Sequence, residues 1–308
     1  MEAINNSFKE NRMEKKSIFL YNRKRATMAL VSSIVMAILV FIGLMMRLFD
    51  NEAVSGYNGT EAYRLFTIDS NCLVGICALL AIPYQVDGIR TGNYHMPKWI
   101  VYTLYVGVTA VAMTFVISVC ILAPVAGFKE MLLTRSNLFF HVLNPIVSIC
   151  LFMFVACDHK VNFKATWIAM TPVFIYAAVY IVMVFIIGEA HGGWIDHYKF
   201  NYYIPWPITL VVMLGFVFGI ATGLRAVHNA MHKKEKDTIK KDYQEMLGAY
   251  ASIEEAVKAL AMDDKSRDPH NNDVTVPRRV ISMIMECYES DKSCEDLCNL
   301  YISTYLEQ

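Results

Sequence analysis

Two short polar stripes, each set inside an apolar stretch, hold the residues of this chain that can do chemistry. The first is F-T-I-D-S-N, with Thr67, Ser70 and Asn71, and the second is F-F-H-V-L-N-P, with His141, Asn144 and Pro145. Residues three and four apart lie on one face of a helix, so Thr67, Ser70 and Asn71 form one stripe and His141, Asn144 and Ser148 another. A hydroxyl and an imidazole brought together away from bulk water make a nucleophile and its base. In that arrangement His141 takes the Thr67 proton as the hydroxyl attacks an ester carbonyl, then returns it to the leaving alcohol. Ser70, Asn71 and Asn144 are the hydroxyl and amide groups placed to donate to an oxyanion. Each residue also has a structural use. A transmembrane Thr commonly bonds its own i−4 carbonyl, and an intramembrane His serves equally as a polar helix contact or pore lining.

The elements that must carry these stripes are transmembrane helices. The 308 residues are 56% hydrophobic and 18% charged, with a mean hydropathy of +0.37, far from an ordinary soluble domain. Six apolar runs of about 20 residues can each cross a hydrocarbon core about 30 Å thick. They cover roughly Ala26 to Phe49, Leu65 to Val86, Trp99 to Ala126, Asn137 to Cys157, Ala165 to Gly188 and Pro205 to Val227. The segments lack the alternation of a barrel, so the expected fold is all-α: six spans with a small cytoplasmic helical tail. The first run is too long for a secretion signal and lacks a small-residue cleavage site after it. The chain divides into a basic arm over 1–25, a transmembrane domain over 26–232 and a tail over 233–308.

Lysine and arginine set the orientation, since they stay on the cytoplasmic side. Lys9, Arg12, Lys15, Lys16, Arg23, Lys24 and Arg25 in the arm, Arg90 and Lys98, Lys160 and Lys164, and Arg225, Lys233, Lys234 and Lys236 all fall on one side of a six-span bundle. Both termini are therefore expected in the cytoplasm, in the plasma membrane for a bacterial chain, with the arm disordered or along the anionic leaflet. Thr67 and His141 then both lie about one turn below the external surface. Arg47 is expected to snorkel to that surface.

The third run has no ionisable group and reads as a lipid-facing or packing wall without chemistry. The fourth contains Pro145, which removes a hydrogen bond and frees a carbonyl that a polar neighbour must satisfy; Pro172 interrupts the fifth. The connection from Gly188 to Pro207 is rich in aromatics and reads as an interfacial belt. Its alternative is a lid hinged at Gly192 and Gly193, with His191 or Asp196 orienting His141. Arg225, His228 and His232 fit the inner headgroup layer. The tail alternates amphipathic stretches, Tyr243 to Ala261, Pro277 to Tyr288 and Ser293 to Tyr305, suited to a small bundle, a homodimer contact or a protein partner. No disulfide framework is suggested, and Cys287, Cys294 and Cys298 match zinc spacing poorly. No metal, cofactor or nucleic acid is implied.

The F-T-I-D-S-N and F-F-H-V-L-N-P segments, within six spans whose ends share one side, resemble the androgen-induced protein family, which includes the androgen-dependent TFPI-regulating protein and bacterial relatives. The resemblance covers about residues 60 to 226. It implies a multipass hydrolase of lipid esters such as fatty-acid esters of hydroxy fatty acids, with Thr67 as nucleophile, His141 as base and no cofactor. The competing reading is a non-enzymatic multipass protein, a transporter or a signalling scaffold with an interacting tail. The hydrolase reading places the Thr67 hydroxyl within about 2.6 to 3.2 Å of a His141 ring nitrogen, or looser by about a couple of ångströms without substrate.

Overall fold

The computed structural model describes residues 2–49, 59–91, 94, 96–156, 159–200 and 204–248, with side chains between 23 and 234. Six helices are long and apolar enough to cross a membrane, and no strand occurs among the described residues. We label them α1 (Glu2–Phe49), α2 (Phe66–Thr91), α3 (Lys98–Ala126), α4 (Ser136–Val155), α5 (Phe163–Ile187) and α6 (Trp206–Gly248). A 3-10 turn, Gly59–Arg64, leads into α2. The chain is an integral, multipass membrane protein.

Both ends of the bundle depart from the boundaries the composition suggests. The arm is not separate, because α1 is already helical from Glu2. Likewise α6 runs through residue 233 without a break to Gly248. The physical reason is that Lys, Glu, Met, Leu and Gln are good helix formers, so a change from apolar to charged composition does not by itself end a helix. The tail helices expected beyond that point lie outside the described residues.

Of the two readings of the uncharged third run, the packing wall holds and the lipid-facing one does not. In its most apolar window 56% of the residues are buried, against 17% for α5 and α6, and its buried face runs from Ile100 to Thr114. Small residues let the neighbours close around it and around one another. A Cβ added at Gly107 would sit 3.1 Å from the Val74 backbone, one at Gly75 3.1 Å from the Val40 side chain, and one at Gly43 2.8 Å from Phe140 Cε1. Thus α1, α2, α3 and α4 are close-packed where the polar stripes lie.

At the end that carries Arg25, side chains from α1 and α6 catch the carbonyls left over where α4 stops. Arg25 Nε donates to Val155 O at 2.9 Å, and the His228 ring nitrogens lie 2.9 Å from Phe152 O and His159 O. The His228 ring stacks on Phe152, which stacks in turn on Tyr105. Asn229 pairs with both backbone groups of Val161, and Asn162 caps the start of α5 through Ala165 N. His228 is 0% exposed, so it is a clamp inside the bundle and not a headgroup ligand. Its position follows from the unpaired carbonyls at a helix C-terminus, which favour N–H donors and positive charge.

Gly43 tests this packing. Gly43→Val should overpack the α1–α4 contact at the buried Phe140 ring and destabilise the protein by about 1–3 kcal/mol, read as a lower unfolding midpoint in a detergent titration.

Candidate functional site

The site begins with a defect in α4. Pro145 has no N–H, and the turn before it, Phe139–Leu143, is wound as a π-helix in which Asn144 N reaches back five residues to Phe139 O. In that register the carbonyl waiting for residue 145 is Phe140 O. It receives nothing from Pro145, and Asn71 of α2 donates to it instead, Nδ2 to O at 3.3 Å. The orphan carbonyl that the proline implies is thus satisfied across a helix interface, as polar groups in lipid require.

Asn71 does more than fill that gap. Its second amide hydrogen goes to Thr67 O at 2.8 Å, and its oxygen accepts from Asn144 Nδ2 at 2.8 Å. One nitrogen therefore holds the carbonyl of Thr67 and the carbonyl of the residue before His141. Asn71 and Asn144 are both 0% exposed. Ser70 Oγ donates to Thr67 O at 3.1 Å, and Ser148 Oγ to Pro145 O at 2.9 Å.

His141 lies one turn up α4 from the clamp and is 6% exposed. Its Nδ1 is 2.7 Å from Ser118 Oγ of α3, and its ring interacts electrostatically with Arg47 of α1. The Thr67 hydroxyl and the imidazole are not hydrogen-bonded to each other. Thr67 is half-buried, and its hydroxyl makes no hydrogen bond among the described residues. Thr27, Thr103, Thr114 and Thr171 each give their proton to a carbonyl three or four residues back, whereas the Thr109 and Thr222 hydroxyls, like that of Thr67, do not. Thr67 is the second residue of α2, and the turn before it is 3-10.

The connection between α5 and α6 folds over the start of α2. Tyr198 OH accepts from Phe66 N at 3.0 Å, and Tyr176 OH donates to Arg64 O at 2.7 Å. Asp196 organises the loop by accepting from Tyr180 OH at 2.7 Å and from Phe200 N at 3.0 Å. Neither Asp196 nor His191 orients His141, whose ring bond goes to Ser118; His191 lies exposed in a turn. The hinge reading of the glycines gives way as well. Gly192 takes φ +86°, and a Cβ on Gly193 would collide with the Met183 carbonyl, so this is a tight packed turn. Met183 O is available because the π-wound end of α5, Ile181–Ile187, leaves it to accept from Gly188 N and Trp194 N.

The two stripes thus meet through backbone and amides, while the imidazole pairs with a hydroxyl from a third helix. Ser118 gives no sequence signal of its own, because Ser and Thr are ordinary in spans and its partner lies 23 residues away. Arg47 was legible as a cation but not as a buried one; it is 6% exposed rather than snorkelling. Among the described residues no group of three or more His, Cys, Asp or Glu could hold a metal ion. No protein-family model, curated protein or solved structure matches the chain.

The loop gives a pH test. Burial, helped by the Arg64 charge, pushes His197 down to about 4 from its ordinary 6.5. Between those values the folded loop binds fewer protons than the unfolded chain, so its stability is full above the ordinary value and falls as pH drops toward the folded one. Amide hydrogen exchange at Tyr198 and Phe200 should therefore lose protection from pH 6.5 to pH 4. His197→Gln should flatten that dependence.

Proposed function

We propose that the chain is a membrane-embedded hydrolase of lipid esters, with Thr67 as nucleophile and His141 as base. Fatty-acid esters of hydroxy fatty acids are the substrate type that the resemblance implies. The observation that supports it best is the Asn71 amide, bonded at once to Thr67 O and Phe140 O, which ties the backbone at Thr67 to the backbone next to His141. An unspent hydroxyl on Thr67 and a His141 ring held at Nδ1, with Nε2 left unbonded among the described residues, add to it. In the reaction the Thr67 proton passes to Nε2 while Oγ bonds the ester carbon. The carbonyl bond to the alcohol oxygen then breaks, the alcohol leaves with that proton, and water releases the acyl group by the reverse use of the same base.

The hydrogen-bond inventory narrows the oxyanion donors. Both amide hydrogens of Asn71 and the hydroxyl of Ser70 are already given to carbonyls. Only Asn144 keeps one amide hydrogen uncommitted, since its other goes to Asn71. Asn144 is thus the candidate that can meet developing charge without breaking the clamp. In orientation, the basic groups near Arg25 and at the exit of α6 favour that end in the cytoplasm, with both termini there and the site toward the other face. An acyl chain can then lie between helices while its ester reaches the membrane interface.

A second reading is favoured by the closure of the network. Asn71, Ser70 and Ser148 all spend their donors on backbone carbonyls, which is what a purely structural clamp in a transporter or signalling scaffold would do. Labelling of the purified full-length protein by a fluorophosphonate probe separates the two. The hydrolase reading expects labelling to fall about 10²- to 10⁴-fold in His141→Ala, the range general base catalysis commands, and to vanish in Thr67→Ala. Equal labelling of all three proteins would leave the clamp alone.

A further inference from the structure

We infer that Ser118 is the positioning residue for His141, a neutral counterpart of the carboxylate that holds the imidazole in a hydrolase triad; this rests on His141 being the base of the proposed hydrolase. Ser118 Oγ and His141 Nδ1 are 2.7 Å apart, and the two residues are 1% and 6% exposed. The hydroxyl is committed to this contact alone. Ser70, Thr114 and Ser148 each give their proton to the carbonyl three residues back, at 3.1, 2.8 and 2.9 Å, while Ser118 has no such bond among the described residues. Ser118 ends the regular register of α3, its N–H on Thr114 O and Phe115 O, and opens the π-wound turn Ser118–Leu122.

The chemistry suits a hydroxyl. Holding Nδ1 leaves Nε2 as the ring nitrogen that can serve Thr67. For Nε2 to take the Thr67 proton the ring hydrogen must sit on Nδ1, so Nδ1–H donates to Ser118 Oγ, and that bond stands both when Nε2 takes the proton and when it gives it up. No charge moves onto Ser118 in either step. A buried carboxylate would orient the ring as well, but in lipid it would carry a large desolvation cost that a hydroxyl avoids. Ser118 Oγ is engaged with the His141 ring, which separates its part from that of Thr67.

The test reads the ring directly. Full-length protein with ¹⁵N-labelled histidine is compared as wild type, Ser118→Ala, Ser118→Thr and Ser148→Ala in the same detergent, with His141→Gln to assign the signals. Ser118→Ala should move the His141 Nδ1 resonance and lower fluorophosphonate labelling about tenfold, the scale of one lost hydrogen bond. Ser118→Thr, which keeps a hydroxyl, should restore both, and Ser148→Ala should leave the ring signal in place. An unchanged Nδ1 resonance in Ser118→Ala overturns the inference. Absent labelling in every protein, with the resonance still responding to Ser118, would instead sink the hydrolase reading while the ring contact stands. If Ser118→Ala does not fold, failure of Ser118→Thr to keep the wild-type resonance overturns the inference on its own.

Discussion

One missing N–H organises the functional half of this bundle. Pro145 leaves a carbonyl without a donor at a depth where water cannot supply one, and the π-wound turn ahead of it decides that the carbonyl is Phe140 O. Asn71 answers from the neighbouring helix, and in doing so commits its remaining groups to Thr67 O and Asn144. The register of α2 against α4 is then fixed by geometry that apolar packing alone could not specify, since side chains in lipid lose little by sliding past one another. Everything placed near the site, from Gly43 against Phe140 to the 3-10 entry of α2, is consistent with that register.

The membrane also selects the kind of polar group used. Among the described residues around His141 the direct ring partner is a hydroxyl and the clamp is made of amides, while the carboxylate of Asp196 stays in the loop above α2. Neutral dipoles can be satisfied pairwise at small cost, whereas a buried charge needs a partner of its own. The price is a nearly closed network. Of the donors expected to serve an oxyanion, most are already spent, which concentrates any such role on Asn144.

How much of this could be read from the residues differs by scale. The six spans were legible in number and order, because hydropathy over about 20 positions is a strong signal and runs without a barrel's alternation can satisfy their backbones only as helices. The orphan carbonyl at Pro145 was legible in kind, since proline chemistry is local. Its rescuer was not, because nothing in F-T-I-D-S-N says which way Asn71 points. Ser118 was invisible for a similar reason: its importance comes from a partner on another helix, which leaves no periodic trace. The continuations of α1 and α6 past the apolar runs were missed because hydropathy marks where lipid ends, and helix propensity does not end there.

The central claim is that Asn71 stands in for the amide hydrogen Pro145 lacks, and a double-mutant cycle measures that directly. In Pro145→Ala the restored N–H can serve the Phe140 carbonyl, so Asn71→Ala should cost clearly less there than in the wild-type background. The expected coupling, from unfolding free energies in detergent, is about 0.5–3 kcal/mol, the range for residues sharing one network. An equal cost of Asn71→Ala in both backgrounds would contradict the account.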